Sequence, residues 1–294
     1  MRLALVGDIH FFQLLPRPLD LLGKRLLGTL HLWTTRRRKF HQDLLEPIIT
    51  KVASIQADLV LFSGDLTTTS LDSEFKRALA IIRPLERTTA LLIVPGNHDR
   101  YTWRSARIRR VEEQLLGLMP GHFPHFQKIS DGWHLLALDS ARPRWITAVG
   151  RIGLEQLEAA RRHLDTLTQD DGLIVLCHYP LSLPTQVRPR PGHDLEDQAA
   201  LRELLTQCKA RTFYLHGHVH RPWFWPLTDP AMAHITDINA GSPTMIDAAH
   251  PFGQGFWQID LPQVRGQPPT LCRHVPTSHG ATADGPDWKV VHVL

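Results

Sequence analysis

The segment Leu3–His10 has the sequence LALVGDIH, in which four consecutive apolar residues are followed at once by glycine, aspartate and histidine. A short continuous apolar run is typical of a strand buried on both faces. Five further runs follow the same plan, at residues 59–62, 91–94, 135–138, 173–177 and 213–215. Segments with helical periodicity separate them, at residues 40–55, 72–82, 154–167 and 195–208. This alternation of strand and helix predicts an α/β fold with a layered sheet.

The composition indicates one large domain in a reducing compartment. With 294 residues, 43% of them hydrophobic, the chain can bury a sizeable core. Its three cysteines are far apart and odd in number, which argues against a disulfide framework and favours the cytoplasm. The run Leu3–Val6 is too short for the apolar core of a signal peptide, and no apolar stretch is long enough to span a membrane. A formal net charge of +4 indicates an anionic partner, such as a phosphorylated substrate, a membrane surface or nucleic acid.

Polar residues follow almost every predicted strand. They are Asp8, His10, Asp65, Asn97, His98, Asp99, His178, His216, His218 and His220. Ligands of open α/β sheets bind at the carboxyl ends of the strands, so we expect these side chains to converge. Imidazole and carboxylate groups suit first-row divalent ions, and this set exceeds what one ion needs. The sequence therefore predicts two ions that share a bridging ligand, an arrangement suited to phosphoryl transfer.

Five motifs resemble those of the calcineurin-like metallophosphoesterases in order and in spacing. They are Gly7–His10, Gly64-Asp65, Gly96–Asp99, His178 and Gly217–His220. The resemblance spans residues 3–245 and implies a four-layer α/β sandwich, with two β-sheets flanked by helices and the metals at one edge. It also implies a metallophosphoesterase domain over residues 1–261. Residues 262–294 would then be an extension, partly loop, packed on the same domain.

The resemblance assigns a role to each residue that matches a motif. Asp8, His10, Asp65 and His220 would hold one ion, and Asp65, Asn97, His178 and His218 the other, with Asp65 as the bridge. His98 would protonate the leaving oxygen and Asp99 would orient its ring, although a carboxylate here can also cap the following turn. His216 is expected to have a structural role. Manganese is the expected metal, and iron, zinc and magnesium are alternatives.

The predicted activity is hydrolysis of a phosphoester or pyrophosphate bond by a metal-bound hydroxide. One substrate class is lipid-linked, of the UDP-diacylglucosamine type, but the best-known branch of those enzymes has Arg where His98 stands. The second class is a cyclic nucleotide or other soluble phosphodiester, whose enzymes commonly carry the Asn97-His98-Asp99 form. A non-catalytic metal-binding scaffold is the alternative from another class. Nucleic acid is not an expected partner, because no aromatic and basic strand module is visible.

An amphipathic basic insert is predicted at residues 11–39. Apolar residues recur there at steps of three or four, at Leu15, Leu19, Leu22, Leu26, Leu30 and Trp33. Arg36, Arg37, Arg38 and Lys39 follow directly. Two interpretations stay open: residues 14–38 make peripheral contact with the inner face of a membrane or with a lipid substrate, or they pack their leucines on the domain.

Three smaller features also leave alternatives open or predict irregular structure. Trp223 and Trp225 could form an aromatic wall for a substrate or simply pack. Arg104, Arg107, Arg109 and Arg110 could bind phosphate or form a solvated helix face. Residues 262–286 are rich in Pro, Gly and Thr and are predicted to be a loop between strands at 255–259 and 288–291.

Overall fold

A computed structural model of the protein describes residues 1–13, 39–246, 253–277 and 286–294. The predicted amphipathic helix at residues 14–38 lies outside these described residues. Within the part of the chain that is described, no helix is long and apolar enough to cross a membrane.

The described strands form two six-stranded sheets. The strands are β1 (Arg2–Val6), β2 (Leu59–Phe62), β3 (Ala90–Ile93), β4 (His125–Ser130), β5 (Trp133–Ala137), β6 (Gly172–Leu176), β7 (Arg211–His216), β8 (Trp223–Pro226), β9 (Ile235–Asn239), β10 (Phe256–Asp260), β11 (Thr270–Pro276) and β12 (Trp288–His292). The first sheet has the order β12-β11-β10-β1-β2-β3 and the second the order β4-β5-β6-β7-β9-β8. In the first sheet, β1 pairs in parallel with β2 and antiparallel with β10.

Six α-helices and three short 3-10 helices are described. The α-helices are α1 (Leu45–Ser54), α2 (Asp72–Ile82), α3 (Trp103–Arg107), α4 (Arg110–Gln114), α5 (Leu154–Leu164) and α6 (Gln198–Gln207). The 3-10 helices are Gln42–Leu44, Arg83–Arg87 and Pro230–Met232. The predicted helix at 72–82 agrees with α2, and the other three predicted helices each contain a shorter observed one.

Alternate residues of each central strand face two different cores. Leu3 and Leu5 of β1 lie between the sheets, where they pack in one cluster with Leu176 of β6. Ala4 and Val6 face the other way, into the core under α1 and α2. The second sheet packs likewise against α5 and α6. Because both faces of these strands are covered, their sequences are continuously apolar. The predicted four-layer sandwich of helix, sheet, sheet and helix is confirmed.

The predicted loop at 262–286 is wrong in part, because it contains β11. This strand pairs antiparallel with β10 and with β12, so the predicted extension supplies two strands of the first sheet. The nearby Pro and Gly residues conceal the strand, whose own residues Leu271–Pro276 are buried. The predictions also missed β4, β8 and β9, which have mixed polar and apolar sequences.

His274 of β11 makes the stability of the fold depend on pH. Its Nε2 lies 2.8 Å from Oε1 of Gln258, and its buried Nδ1 has no hydrogen-bond partner among the described residues. Burial and the positive charge of Lys51 lower the pKa of His274 to about 4. The unfolded chain, with an ordinary histidine pKa of about 6.5, therefore binds the proton more readily than the folded chain.

We therefore expect the free energy of unfolding to fall as the pH is lowered from about 6.5 to about 4, with a contribution from His274 of about 2 kcal/mol. Urea denaturation of the parent and of His274→Gln at several pH values isolates this contribution. The stability difference between the two proteins should shift in favour of the variant as the pH falls. A difference that is the same at every pH would contradict the assignment.

Candidate metal centre

All seven predicted metal ligands lie in loops that follow the carboxyl ends of strands. Asp8 and His10 follow β1, Asp65 follows β2, Asn97 follows β3, His178 follows β6, and His218 and His220 follow β7. β1, β2 and β3 are parallel neighbours in one sheet, and β6 and β7 are parallel neighbours in the other. The strand directions therefore bring these residues to one edge of the sandwich.

The backbone adopts an unusual conformation at four of these residues. His10, Asp65, His218 and His220 all have positive φ angles, between 51° and 69°. Residues other than glycine seldom occupy this left-handed region, and doing so costs about 1–3 kcal/mol each. At His10 and Asp65 the surrounding loops hold this conformation, because the His10 amide donates to the carbonyl of Asp65. Such strain is concentrated at functional sites.

Four side chains form a first group of candidate ligands. They are Asp8, His10, Asp65 and His220, and one ligand atom of each lies within 4.8 Å of the others. Nε2 of His220 lies 2.8 Å from Nε2 of His10 and 3.3 Å from Oδ2 of Asp8. Nε2 of His10 lies 3.6 Å from Oδ2 of Asp65. These separations are those of atoms that can share a single metal ion.

A second group forms around Asn97. Its Oδ1 lies 3.0 Å from Nε2 of His178 and 3.0 Å from Nδ1 of His218. Nε2 of His178 also lies 3.5 Å from Oδ2 of Asp65. The same oxygen of Asp65 thus faces His10 of the first group and His178 of the second, which is the position of a bridging carboxylate.

Backbone carbonyls hold the imidazole rings of the second group. Nδ1 of His178 lies 2.8 Å from the carbonyl oxygen of Ser63, and Nε2 of His218 lies 3.0 Å from that of His193. When each ring donates its N–H to the carbonyl, its other nitrogen presents a lone pair to the group. His178 therefore offers Nε2 and His218 offers Nδ1.

The charged groups of the site shift one another's pKa. Burial raises the pKa of Asp8 well above its usual range. Asp65 is equally buried, but His178 and His98 hold its pKa well below the usual range. Burial opposes the charging of His178, yet Asp65 and Asp8 raise its pKa to about 9. Asp65 therefore keeps its negative charge although it is fully buried.

Asp8 provides the test of whether these residues fit metal ions. Its Oδ2 accepts a hydrogen bond from the His218 amide, but its fully buried Oδ1 has no hydrogen-bond partner among the described residues. A buried carboxylate oxygen without a partner is costly. A divalent cation would satisfy it, and the surrounding imidazole, carboxylate and amide groups are ligands that such ions accept. The residues fit the predicted ions.

Residues 1–222 match the family described as calcineurin-like phosphoesterase. The chain belongs to the calcineurin-like phosphoesterase family. The family predicted from the five motifs is therefore confirmed.

Individual relatives in the family are distant. The chain is 24% identical over 185 residues to the 3′,5′-cyclic adenosine monophosphate phosphodiesterase CpdA of Vibrio vulnificus, covering 61% of this chain and 60% of the relative. It is 29% identical over 183 residues to a probable cyclic nucleotide phosphodiesterase of Rhodococcus erythropolis, covering 61% and 56%. The chain thus spans less than two thirds of the length of these relatives.

Solved structures of two phosphatases share the fold at low identity. A dimetal phosphatase from Danio rerio superposes with a TM-score of 0.63 at 12% identity, over 99% of this chain and 98% of the other. A purple acid phosphatase from yellow lupin gives 0.61 at 15% identity, over 99% of this chain and 53% of the other. These likenesses concern the fold alone.

His98 lies beside the first group of candidate ligands. Its ring is half-buried and packs edge-on against the ring of His10, with the centroids 4.9 Å apart. On another side it stacks on Tyr101, at 5.4 Å and an interplanar angle of 13°. Nδ1 of His98 lies 2.7 Å from the carbonyl oxygen of Thr68. The ring is therefore fixed in its plane and in its tautomer, with Nδ1 protonated.

The hydrogen bonds of Asp99 favour the second of its two predicted roles, in which the carboxylate holds the loop. Its buried carboxylate accepts hydrogen bonds from the amides of Gly96, Leu66 and Thr67 and from the hydroxyl of Thr67. Asp99 therefore joins the loop after β3 to the loop after β2. The His98 ring is instead contacted by the carbonyl oxygen of Thr68. Burial and the nearby Asp65 carboxylate raise the pKa of Asp99 to about 6.

His216 and Trp223 meet at a buried aspartate behind the ligand loop. Nε2 of His216 and Nε1 of Trp223 each lie 2.7 Å from Oδ1 of Asp237. Asn239 donates to the carbonyl of Gly217 at 2.7 Å. This network supports the turn that carries His218 and gives His216 the structural role predicted for it. Trp225 packs against the core of the second sheet, so both tryptophans pack.

Phe40 is a residue of the site that the sequence did not reveal. Its ring lies 4.7 Å from that of His10 and 5.4 Å from that of His220. With Phe12 and Met245 it forms a small apolar cluster beside the first group. A lone phenylalanine at the start of a predicted helix gives no signal of this position.

Two glycines allow the ligand loops to approach one another. A Cβ atom on Gly217 would lie 2.0 Å from Oδ1 of Asp8, and one on Gly96 would lie 2.1 Å from Oδ1 of Asp65.

We expect Gly217→Ala to displace Asp8 and to lower the bound metal content by about tenfold or more. Gly121→Ala is the matched control, because its Cβ would meet nothing within 4 Å. Elemental analysis of the purified proteins measures the effect, and normal metal content in Gly217→Ala would contradict the expected crowding.

Proposed function

We propose that the protein is a phosphodiesterase that uses two divalent metal ions and cleaves a soluble phosphodiester, with cyclic nucleotides as the first candidates. The observation that carries this proposal is Oδ2 of Asp65, placed 3.6 Å from His10 and 3.5 Å from His178. The names of the bacterial relatives support the diester class.

In this proposal Asp8, His10, Asp65 and His220 hold one ion, and Asp65, Asn97, His178 and His218 hold the other. When bound, such ions supply Lewis acidity and make hydroxide available as a nucleophile near neutral pH. Manganese is the ion to test first, and iron, zinc and magnesium are the alternatives.

His98 is proposed as the general acid. Its contact with the Thr68 carbonyl, 2.7 Å long, keeps the proton on Nδ1 and assigns proton exchange with the substrate to Nε2. The same carbonyl stabilises the charged imidazolium while it awaits the leaving group. Stacking on Tyr101 holds the ring plane during the transfer. A sugar alkoxide is a poor leaving group, so a proton donor contributes most to this class of substrate.

Two other sequence-based interpretations remain predictions. A lipid-linked substrate of the UDP-diacylglucosamine type, with the chain on the inner face of a membrane, finds no support in the names of the relatives described above. A non-catalytic scaffold would bind metal without turnover. Turnover assays on a panel of substrates test both interpretations together with the proposed function.

The experiment uses protein depleted of metal and then reloaded with manganese. The substrates are bis-p-nitrophenyl phosphate, p-nitrophenyl phosphate, 3′,5′-cyclic AMP and UDP-diacylglucosamine. We expect turnover of the aryl diester and of cyclic AMP, with the metal-depleted protein as control. Exclusive turnover of the monoester or of the lipid-linked pyrophosphate would refute the proposed class, and metal binding without any turnover would favour the scaffold.

A further inference from the structure

A cavity of about 680 Å³ opens beside α3 and α4. Its lining comes from residues 100–121, from Phe123, and from residues 139–156, which end in the first turn of α5. None of the seven candidate metal ligands lines it. We call the surface formed by these two segments the arginine face.

The arginine face is strongly basic. Residues 100–121 and 139–156 contain eight arginines, no lysine and four acidic residues. Arg100 is occupied by ion pairs to Glu112, at 2.8 Å, and to Asp139, at 3.0 Å. Arg109 and Arg151 line the cavity and are exposed, and neither guanidinium has an ion pair or hydrogen bond to a described residue. These two side chains are available to an anionic partner.

The arginine face also exposes an unusual amount of apolar surface. Ten large hydrophobic side chains are exposed among the described residues, and six of them belong to this face: Trp103, Ile108, Leu116, Trp145, Ile146 and Leu154. Trp103 and Leu154 line the cavity itself. Trp145 is 71% exposed and Ile146 is 91% exposed, directly after the cavity residue Arg144. Exposed apolar side chains concentrated in two segments that share a cavity favour a surface that binds a partner.

The combination of charges and apolar side chains favours a lipid surface. Arginines with adjacent Trp and Ile side chains match an interface in which phosphate groups lie above an apolar layer. A nucleic acid would satisfy the arginines, but it offers no apolar layer for Ile146. The chain's own segment at residues 14–38 carries six basic residues and one aspartate, so its charge repels the arginine face.

We propose that the arginine face binds the surface of a membrane that contains anionic phospholipids. Arg109 and Arg151 contact lipid phosphates, and Trp145 and Ile146 enter the boundary between headgroups and acyl chains. This proposal is independent of the phosphodiesterase activity, because none of the residues involved belongs to the metal centre.

Vesicle flotation of the full chain tests the proposal. The vesicles are pure phosphatidylcholine, or phosphatidylcholine and phosphatidylglycerol in equal amounts. We expect binding to the mixed vesicles only. Trp145→Ser/Ile146→Ser should weaken it by about tenfold or more, since two large apolar side chains lose their burial. Arg109→Gln/Arg151→Gln should weaken it by about thirtyfold, at about 1 kcal/mol for each charge.

The control is Val264→Ser/Leu294→Ser, which removes two exposed apolar side chains outside the arginine face. It should bind like the parent, and all variants should keep the parent's hydrolysis of the aryl diester. Equal flotation of the parent and of Trp145→Ser/Ile146→Ser would overturn the proposal. So would equal binding to both kinds of vesicle, or retention on DNA that depends on the arginines while flotation does not.

Discussion

Asp65→Asn is expected to lower hydrolysis of an aryl phosphodiester by about a hundredfold or more. Even the loss of a partner outside the ligand shell typically costs about 10–100-fold in metal affinity or activity, and Asp65 faces both ligand groups. Its Oδ1 also accepts the His98 amide at 2.8 Å, so the change disturbs the proton donor as well. An amide oxygen carries no net charge and cannot bridge two cations as a carboxylate does. Steady-state kinetics measures the loss of hydrolysis, and elemental analysis measures the bound metal.

Asp131→Asn is the control for Asp65→Asn, because Asp131 is exposed and pairs only at the surface, with Lys128 and Arg265. It should keep full activity and metal content. A chelator should abolish the activity of the parent, and manganese should restore it. If Asp65→Asn kept both its metal and its activity, Asp65 would not be the bridge.

His98→Ala is expected to lower kcat by about 10²–10⁴-fold while leaving the bound metal content unchanged. The size of the loss should depend on the leaving group. Cyclic AMP, whose leaving alkoxide needs a proton, should lose more than bis-p-nitrophenyl phosphate, whose nitrophenolate leaves without one.

Tyr101→Phe is the matched control for His98→Ala, because it keeps the ring that stacks on His98. It should retain most of the activity on both substrates. An equal loss on both substrates in His98→Ala would contradict the general-acid role and would indicate that the histidine only positions the substrate.

The sequence predicted that the candidate metal ligands converge at one edge of the sheets, because strand ends are visible in it. Runs such as Leu3–Val6 are apolar throughout, since both faces of the strand are covered, and their ends are sharp. A histidine or aspartate directly after such a run can only lie at the edge of the sheet. The parallel order of β1, β2 and β3 then brings Asp8, Asp65 and Asn97 together.

Apart from the Phe40 side chain, the parts of the site that sequence reasoning missed are backbone groups. The carbonyl oxygens of Ser63, Thr68 and His193 fix the rings of His178, His98 and His218. Every residue has a carbonyl, so no residue type marks these positions. For the same reason Asp99 was assigned to its neighbour His98, whereas it binds backbone amides of two loops.

The strands that were missed bury polar side chains. In β9, Asp237 and Asn239 are fully buried, where His216 and Trp223 bind Oδ1 of Asp237 and Asn239 donates to the carbonyl of Gly217. A hydropathy pattern treats these residues as surface positions, although their partners remove most of the cost of burial. β4 is half-buried along most of its length as the edge of the second sheet, so it lacks a continuous apolar run.

The position of β1 between β2 and β10 also determines when the strand pairing of the first sheet can be completed during synthesis. Arg2 of β1 and Asp260 of β10 are partners in the sheet, yet they lie 258 positions apart in the chain. At a translation rate of about 5–20 residues per second, β1 is made tens of seconds before this neighbour. Over that interval one edge of β1 lacks its strand partner, and an unpaired edge can pair with other chains. Asp8 and His10 follow this strand, so every candidate metal ligand is synthesised before β10 completes the pairing of β1.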